Sequence, residues 1–305
     1  MNNLYGTEYT RPQRIGAWWL MAVSKVIGWL PNWFLYHCLA PFIYFVMYRL
    51  VGYRKGVVRE NLRTTFTEKS AEELLHIERK FYRHLAEIVV DTIDLASMSR
   101  KELLRRMEVV DLEAHLEATR DKDWVAAMGH YGSWEFFCVQ ALLEENAAVL
   151  GVYHPLKNKG FDLFYRRLRS RMMMEPVKMK GLIRRIMKAR KEGERYVVGL
   201  IADQAPPKNH EVEHWYNFLD RPTAFYGGME HISSKFGAQV YYVDIEKTKP
   251  GHYRCRFVQI YDGVEQVDSH EVIQRYANEL SRTIRRAPEY WLWSHKRWKQ
   301  QPTNV

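Results

Sequence analysis

The sequence predicts an α/β fold: a mixed, largely parallel sheet flanked by helices, preceded by an N-terminal membrane-associating helical segment. Three observations predict it. From residue 120 onward, short apolar runs such as WVAAM, AAVLGVY and YVVGLI alternate with stretches of helical period. Strands alternating with helices at this spacing form βαβ units and a parallel or mixed sheet. Residues 51–120 carry the helical period almost throughout. Residues 15–48 are apolar, rich in tryptophan and flanked by basic side chains.

The N-terminal segment consists of two pieces, IGAWWLMAVSKVIGWL (15–30) and WFLYHCLAPFIYFVMY (33–48). Each is shorter than the ~20 residues of a comfortable spanning helix. Lys25 interrupts the first, and His37 and Pro41 the second. Arg11 and Arg14 precede the pair; Arg49, Arg54, Lys55 and Arg59 follow it. Trp18, Trp19, Trp29 and Trp33 favour a membrane interface, where amphipathic rings settle at headgroup level. The expectation is one spanning helix or an interfacial hairpin, with a pair of buried core helices as the alternative. No small-residue cleavage site follows, so the segment does not read as a signal peptide. The chain is accordingly divided into an N-terminal membrane segment, 1–50, and an α/β domain, 51–305.

Within 51–120, Ser70 followed by Glu73 forms a capping box, and Leu74, Ile77, Phe81, Leu85 and Ile88 continue at helical spacing. A shorter helix is expected to start at Ser99. Then WVAAMG reads as a strand and SWEFFCVQALLEE as a helix, and AAVLGVYH and NKGFDLFYRRLRSRM repeat the pair. GLIRRIMKARKEG is a helix closed by Gly193. YVVGLIADQ is a strand, and AFYGGMEHISSKFGA holds another helix. QVYYVDIEKT and HYRCRFVQIY make a strand pair, HEVIQRYANELSRTIRRAP a last amphipathic helix, and QQPTNV a loose tail.

The chain has 305 residues and carries 46 Lys plus Arg against 36 Asp plus Glu, a net charge of +10 that suggests an anionic partner. Zinc-finger spacing, basic heptads and RNP-like aromatic motifs are absent from the sequence, which argues against nucleic acid. Cys38, Cys138 and Cys255 are far apart among apolar neighbours and read as buried free thiols in a reducing compartment. Their spacing offers no metal site.

GHYGSWEFF (129–137) lies at the seam between an apolar strand and an apolar helix. Functional groups of open α/β sheets gather at the carboxyl ends of strands, and His130 stands at such an end. Gly132 permits a tight turn, and Ser133 is a candidate N-cap. Glu135 falls in the first helical turn, where the bend can bring its carboxylate to His130. A histidine is the natural general base for a hydroxyl acceptor, and a carboxylate fixes its tautomer and supports the imidazolium. The nucleophile-elbow pattern G-x-S-x-G and the zinc pattern H-E-x-x-H both fail here. A histidine bonded to its loop and a glutamate favouring a helix start is the plain structural reading of the same residues.

H-x-x-x-x-[D/E] after an apolar strand resembles the signature of the glycerolipid acyltransferases. GHYGSWE is similar to the version in the lipid A secondary acyltransferases, the lauroyl and myristoyl transferases of Gram-negative bacteria. VVRENLRTTF resembles that family's R-x-N-L-x-x-x-F element, ADQAP (202–206) its second loop, and APEYWLWSHKRWK (287–299) its C-terminal signature. The resemblance implies a glycerolipid-acyltransferase-like domain at the cytoplasmic face of the inner membrane. It implies an acyl donor on acyl carrier protein (or acyl-CoA), no diffusible cofactor and no metal. The acceptor would be a hydroxyl of a 3-hydroxyacyl chain on the phosphorylated lipid A precursor. The alternative acceptors are a lysophospholipid, a glycolipid or an ornithine-type lipid, which the same dyad would serve.

On this reading His130 is the base and Glu135 its partner. Where family members often read Y-R-P, this chain has Tyr153-His154-Pro155. His154, Arg166, Arg169 and Arg171 are therefore the candidates for contact with donor or acceptor, with Arg169 preferred. A solvated helix face is the alternative for the arginines. Asp203 and Gln204 end the IADQ strand on the same sheet edge and are expected to line the site; Asp203 also reads as a turn residue before Pro206 and Pro207. Phe136, Phe137 and Met172 to Met174 are candidates for an acyl slot. His295 and Arg297 read as headgroup or structural contacts.

Overall fold

The computed structural model describes residues 8–144, 146–206, 212, 214–268, 270–300 and 302. Pro207 and most of the tail expected at 300–305 lie outside the described residues. The core is a seven-stranded sheet in the order β1-β9-β8-β2-β5-β3-β4. The strands are β1 (Met107–Val109), β2 (Trp124–Met128), β3 (Ala147–Tyr153), β4 (Glu175–Lys178), β5 (Arg195–Ile201), β8 (Gln239–Lys249) and β9 (His252–Tyr261). β8, β2, β5, β3 and β4 run parallel, while β9 turns back antiparallel to β8 and β1 lies parallel to β9. Every residue of β2 is buried, as an inner strand covered on both faces requires.

The capping box at Ser70 forms as expected. Glu73 accepts the Ser70 backbone N–H at 2.8 Å, and Ser70 Oγ accepts the Glu73 N–H at 3.2 Å. The helix it starts, Ala71–Leu95, buries Ile77, Phe81, Leu85 and Ile88. Ser99 likewise caps Arg100–Arg106. Three features depart from the sequence reading. β1 begins directly after Arg106, inside the stretch read as helical. β4 separates the second and third α/β helices. A small hairpin of β6 (Tyr216–Phe218) and β7 (Arg221–Thr223) turns through Leu219 and Asp220, both at positive φ. Two-residue hairpin turns of this kind usually announce themselves with Asn-Gly or Asp-Gly, and this one does not.

The N-terminal segment is a helix, Arg11–Gly28, followed by a helical stretch, Asn32–Leu50, that contains two wide π-type turns. It is bolted to the sheet unit. The Tyr9 hydroxyl donates to Asp162 at 2.6 Å, and the hydroxyls of Tyr36 and Tyr253 both donate to the buried Asp91, at 2.6 and 2.7 Å. Arg106, itself buried, binds Asp94 at 2.7 Å and Asn32 at 2.6 Å. Among the described residues no single helix is long and apolar enough to cross a membrane; Asn32–Leu50 with Lys55–Thr65, bent by 89°, passes by length and composition as a pair. Trp18, Trp19, Trp29 and Trp33 are nonetheless exposed, together with Phe42, Leu50 and Val51. Cys38 is exposed as well, contrary to the expectation of a buried thiol, because it lies in this segment; Cys138 and Cys255 are buried.

Candidate active site

β2 and β5 are parallel neighbours whose last paired residues are Met128 and Ile201. Two residues further along each strand stand His130 and Asp203. The register therefore sets them abreast at the carboxyl edge of the sheet, although 73 residues separate them. His130 Nδ1 lies 2.6 Å from Asp203 Oδ1, and the His130 backbone N–H donates to Asp203 Oδ2 at 2.8 Å. The Trp291 indole N–H donates to the same Oδ2 at 2.7 Å.

The Asp203 carboxylate is fully enclosed. Burial alone would raise its pKa; the His130 charge, the hydrogen bonds from His130 and the indole of Trp291 outweigh burial and hold it below its ordinary value. An ionised Asp203 accepts a hydrogen bond from Nδ1–H, so the proton stays on Nδ1 and Nε2 carries the free lone pair. Gln204 Nε2 lies 3.2 Å from that nitrogen and donates to it in this tautomer. The Trp134 ring meets the imidazole edge-to-face at 5.0 Å.

The turn that carries His130 is stitched to the C-terminal segment. The Gly132 N–H donates to the Tyr290 carbonyl at 3.0 Å and the Leu292 N–H to the His130 carbonyl at 3.0 Å. Gly132 has φ +59°, and a Cβ there would sit 2.8 Å from Ile245 Cγ2, so both conformation and space call for glycine.

Glu135 is seated differently from the sequence reading. Residues 134–139 form a 3₁₀ turn that carries its carboxylate to the helix Lys159–Arg171. There Arg169 binds it with both prongs, at 2.9 and 2.7 Å. Burial opposes the charge of Arg169, but the Glu135 carboxylate more than compensates and raises its pKa. The partner of His130 in this structure is thus Asp203, and Glu135 serves Arg169. Ser133 does not cap the helix through its side chain; its buried hydroxyl faces Asp91.

The remaining candidates divide. Gln204 joins the dyad. His154 is exposed one residue beyond the end of β3, on the same edge of the sheet. Arg166 binds Glu8 and the Tyr9 hydroxyl, at 2.9 and 2.7 Å, and so anchors the N-terminal segment. Arg171 donates to the carbonyl of Met98 at 3.0 Å. Arg297 is buried, donates to the Ala224 carbonyl at 2.6 Å, and its pKa falls to about 10 through burial. The His295 imidazole accepts the Ala205 N–H at 3.3 Å, and burial lowers its pKa to about 4. Trp291 stands in the aromatic C-terminal signature APEYWLWSHKRWK, whose pattern gives no sign that this indole binds Asp203.

Phe137 and Met174 line a narrow hollow of about 30 Å³ between β3, β5 and the Glu135–Arg169 pair. Phe136 and Met172 are buried core, and Met173 is exposed at φ +68°. A hollow of about 730 Å³ lies elsewhere, walled by Ile183, Phe225, His214 and His270, and none of His130, Asp203 or Gln204 lines it. Among the described residues no group of three His, Cys, Asp or Glu side chains is placed to hold a metal ion. Ser133 is enclosed, and burial pushes the Cys138 thiol well up, so neither is presented as a nucleophile. The arrangement suits proton abstraction from a substrate hydroxyl at Nε2.

Residues 5–300 match the family model described as bacterial lipid A biosynthesis acyltransferase. No curated protein matches the chain at a significant level.

Proposed function

The chain belongs to the bacterial lipid A biosynthesis acyltransferase family, and from that premise we propose a specific reaction. A fatty acyl chain passes from the thioester of acyl carrier protein to the hydroxyl of a 3-hydroxyacyl chain on the phosphorylated lipid A precursor. The observation that carries this reading is the His130–Asp203 pair at the carboxyl edge of the sheet, with Nε2 turned to a polar, exchangeable neighbour.

The acceptor hydroxyl takes the place that Gln204 holds at Nε2. His130 removes its proton, and Asp203 holds the tautomer and supports the imidazolium. The oxygen attacks the thioester carbon directly. The C–S bond then breaks, and the thiolate leaves with the proton from His130. The displaced Gln204 amide is a donor within reach of the oxyanion that forms. Arg169, fixed by Glu135, is a positioning residue beside the hollow between Phe137 and Met174. That hollow is the proposed entry for the acyl chain. It has to widen, which an unbranched methionine allows.

We place the enzyme on the cytoplasmic face of the inner membrane, seated by its exposed N-terminal aromatic surface. Each large apolar side chain withdrawn from water contributes about 1.5–3 kcal/mol when fully buried, so four exposed tryptophans suffice for interfacial docking without a span.

The test is lipid A mass spectrometry of a deletion strain complemented with wild type or with His130→Ala. The expected result is loss of one acyl chain, restored by wild type and not by the variant. An unchanged lipid A profile would transfer the activity to another membrane lipid. Restoration by a folded His130→Ala protein would overturn the mechanism.

A further inference from the structure

A groove of about 400 Å³ runs between the helix Lys55–Thr65 and the C-terminal segment 296–299. Its lining is cationic. Arg221 reaches in from β7, stacked over the Trp298 ring at 4.1 Å and held by Thr64 Oγ1 at 2.8 Å. Lys296 and Lys299 enter from the tail and are exposed. Among the described residues, none of these three cations has a carboxylate at ion-pair distance. The acid of the groove, Glu60, binds Arg63 at 2.9 Å and also attracts Arg221 from beyond ion-pair distance. Arg106, Arg169, Arg185 and Arg275, by contrast, are each bound to one or two carboxylates.

The groove is joined to the catalytic edge by short links. Asn61, on its helical wall, donates to the carbonyls of Trp293 and His295, both at 2.8 Å. His295 accepts the Ala205 N–H, and Ala205 follows Gln204, which contacts His130. On its other side the helix Lys55–Thr65 follows, after an 89° bend, on Leu50 and Val51, 66% and 68% exposed in the apolar N-terminal surface. The groove is thus linked on one side to the exposed apolar N-terminal surface and on the other to the base, as a headgroup site for an amphipathic acceptor requires.

We propose that this groove binds a phosphate ester on the headgroup of the acceptor lipid and thereby sets which acceptors reach His130. The inference rests on the acceptor being a phosphorylated glycolipid, as in the function proposed above. An arginine fork braced on an aromatic ring, with two exposed lysines, is a set that grips a phosphate. The site is concave and holds few cations, which fits a small anionic group better than the convex surface of an acidic protein.

Gly56 supplies a clean probe. It lines the groove, and a Cβ there meets nothing within 4 Å. Gly56→Glu therefore adds a carboxylate side chain on the wall of the groove, with no clash at its Cβ. The experiment compares kcat/KM of the full chain in mixed micelles on the phosphorylated acceptor and on the same acceptor after enzymatic dephosphorylation. Wild type should prefer the phosphorylated form by roughly tenfold or more, the scale of one or two charge-assisted hydrogen bonds. Gly56→Glu, and separately Lys296→Ala/Lys299→Ala, should reduce that ratio to about one, chiefly by raising KM for the phosphorylated acceptor. Melting curves establish that both variants fold.

A wild type indifferent to the phosphate would overturn the proposal, as would variants that keep the preference. A raised KM for acyl carrier protein with the preference intact would reassign the groove to the donor. Complete competition by inorganic phosphate in millimolar excess would make it a free-anion site and overturn the lipid assignment. Failure of the functional reading looks different: wild type then transfers no acyl chain to either acceptor.

Discussion

Asp203→Asn separates the two carboxylates that compete for the role of histidine partner. Asparagine keeps the shape. Its one carbonyl oxygen can still accept the N–H of His130 and the indole of Trp291, which now converge on Oδ2. Its NH₂ group then faces His130 Nδ1, where Asp203 Oδ1 stands 2.6 Å away. A donor at that point compels Nδ1 to accept, so the imidazole proton moves to Nε2. The base is thereby lost without loss of the histidine, and no charge remains to support an imidazolium. Wrong-tautomer variants of this type lose about 10⁴-fold in kcat, or ~5 kcal/mol of barrier, and a positioned base alone accounts for about 10²–10⁴-fold.

The companion variant Glu135→Gln leaves the Asp203 contact intact and breaks the ion pair with Arg169, whose side chain is 18% exposed against 7% for Glu135. Leaving a largely buried guanidinium unpaired costs about 3–5 kcal/mol. Its first signature is therefore a lowered melting temperature. The assay is steady-state transfer from acyl carrier protein, with thermal unfolding of each variant alongside. The expected pattern is Asp203→Asn stable and nearly inactive, Glu135→Gln destabilised and less impaired in kcat. A well-folded Asp203→Asn with wild-type kcat would refute the assignment. So would a Glu135→Gln that matches its kcat loss at an unchanged melting temperature; that result would return Glu135 to His130.

Trp291→Phe removes one N–H from a buried carboxylate and should cost about 1.5–3 kcal/mol in stability; by loosening Asp203 it should also lower kcat roughly tenfold, and an unaltered kcat would show the indole to be structural only. Burial among Trp124, Tyr241 and Phe257 lowers the His115 pKa to about 4. Because its folded pKa lies below the unfolded value, the unfolded chain takes up the proton first as pH falls. Stability is therefore complete above about pH 6.5 and declines towards pH 4 by ~3 kcal/mol from this group. Denaturant titrations should show His115→Leu with a flatter acid limb, and a slope identical to wild type would contradict the account. Trp18, Trp29 and Trp33 are 56%, 75% and 63% exposed. Replacing all three by Ser should weaken flotation with anionic vesicles by about a hundredfold, taking ~1 kcal/mol for each partly inserted ring, and should leave the melting temperature unchanged.

Much of the fold follows from local rules. The capping box at Ser70, the N-cap at Ser99, the helical period through Ile88, the alternation of strand and helix after residue 120 and the turn at Gly132 are each decided within a few residues of chain. The hairpin through Leu219 and Asp220 was not legible because its turn lacks the residues that usually favour positive φ. β1 and β4 are not legible in the sequence, because strands of three or four residues carry too little periodicity to stand out from neighbouring helices.

At the site, the sequence by itself placed His130 at a strand end, marked Glu135, Asp203, Gln204 and Arg169 as its company, and pointed through its motifs to acyl transfer. Which of them touch was decided by the tertiary structure alone. Proximity along the chain suggested Glu135, five residues away. The parallel register of β2 and β5, a relation between segments rather than within one, put Asp203 level with His130 instead. The 3₁₀ turn after Ser133 then carried Glu135 away to Arg169. A histidine and a carboxylate can be read from any sequence; their hydrogen bond depends on strand order and register, which arise only when the whole sheet assembles.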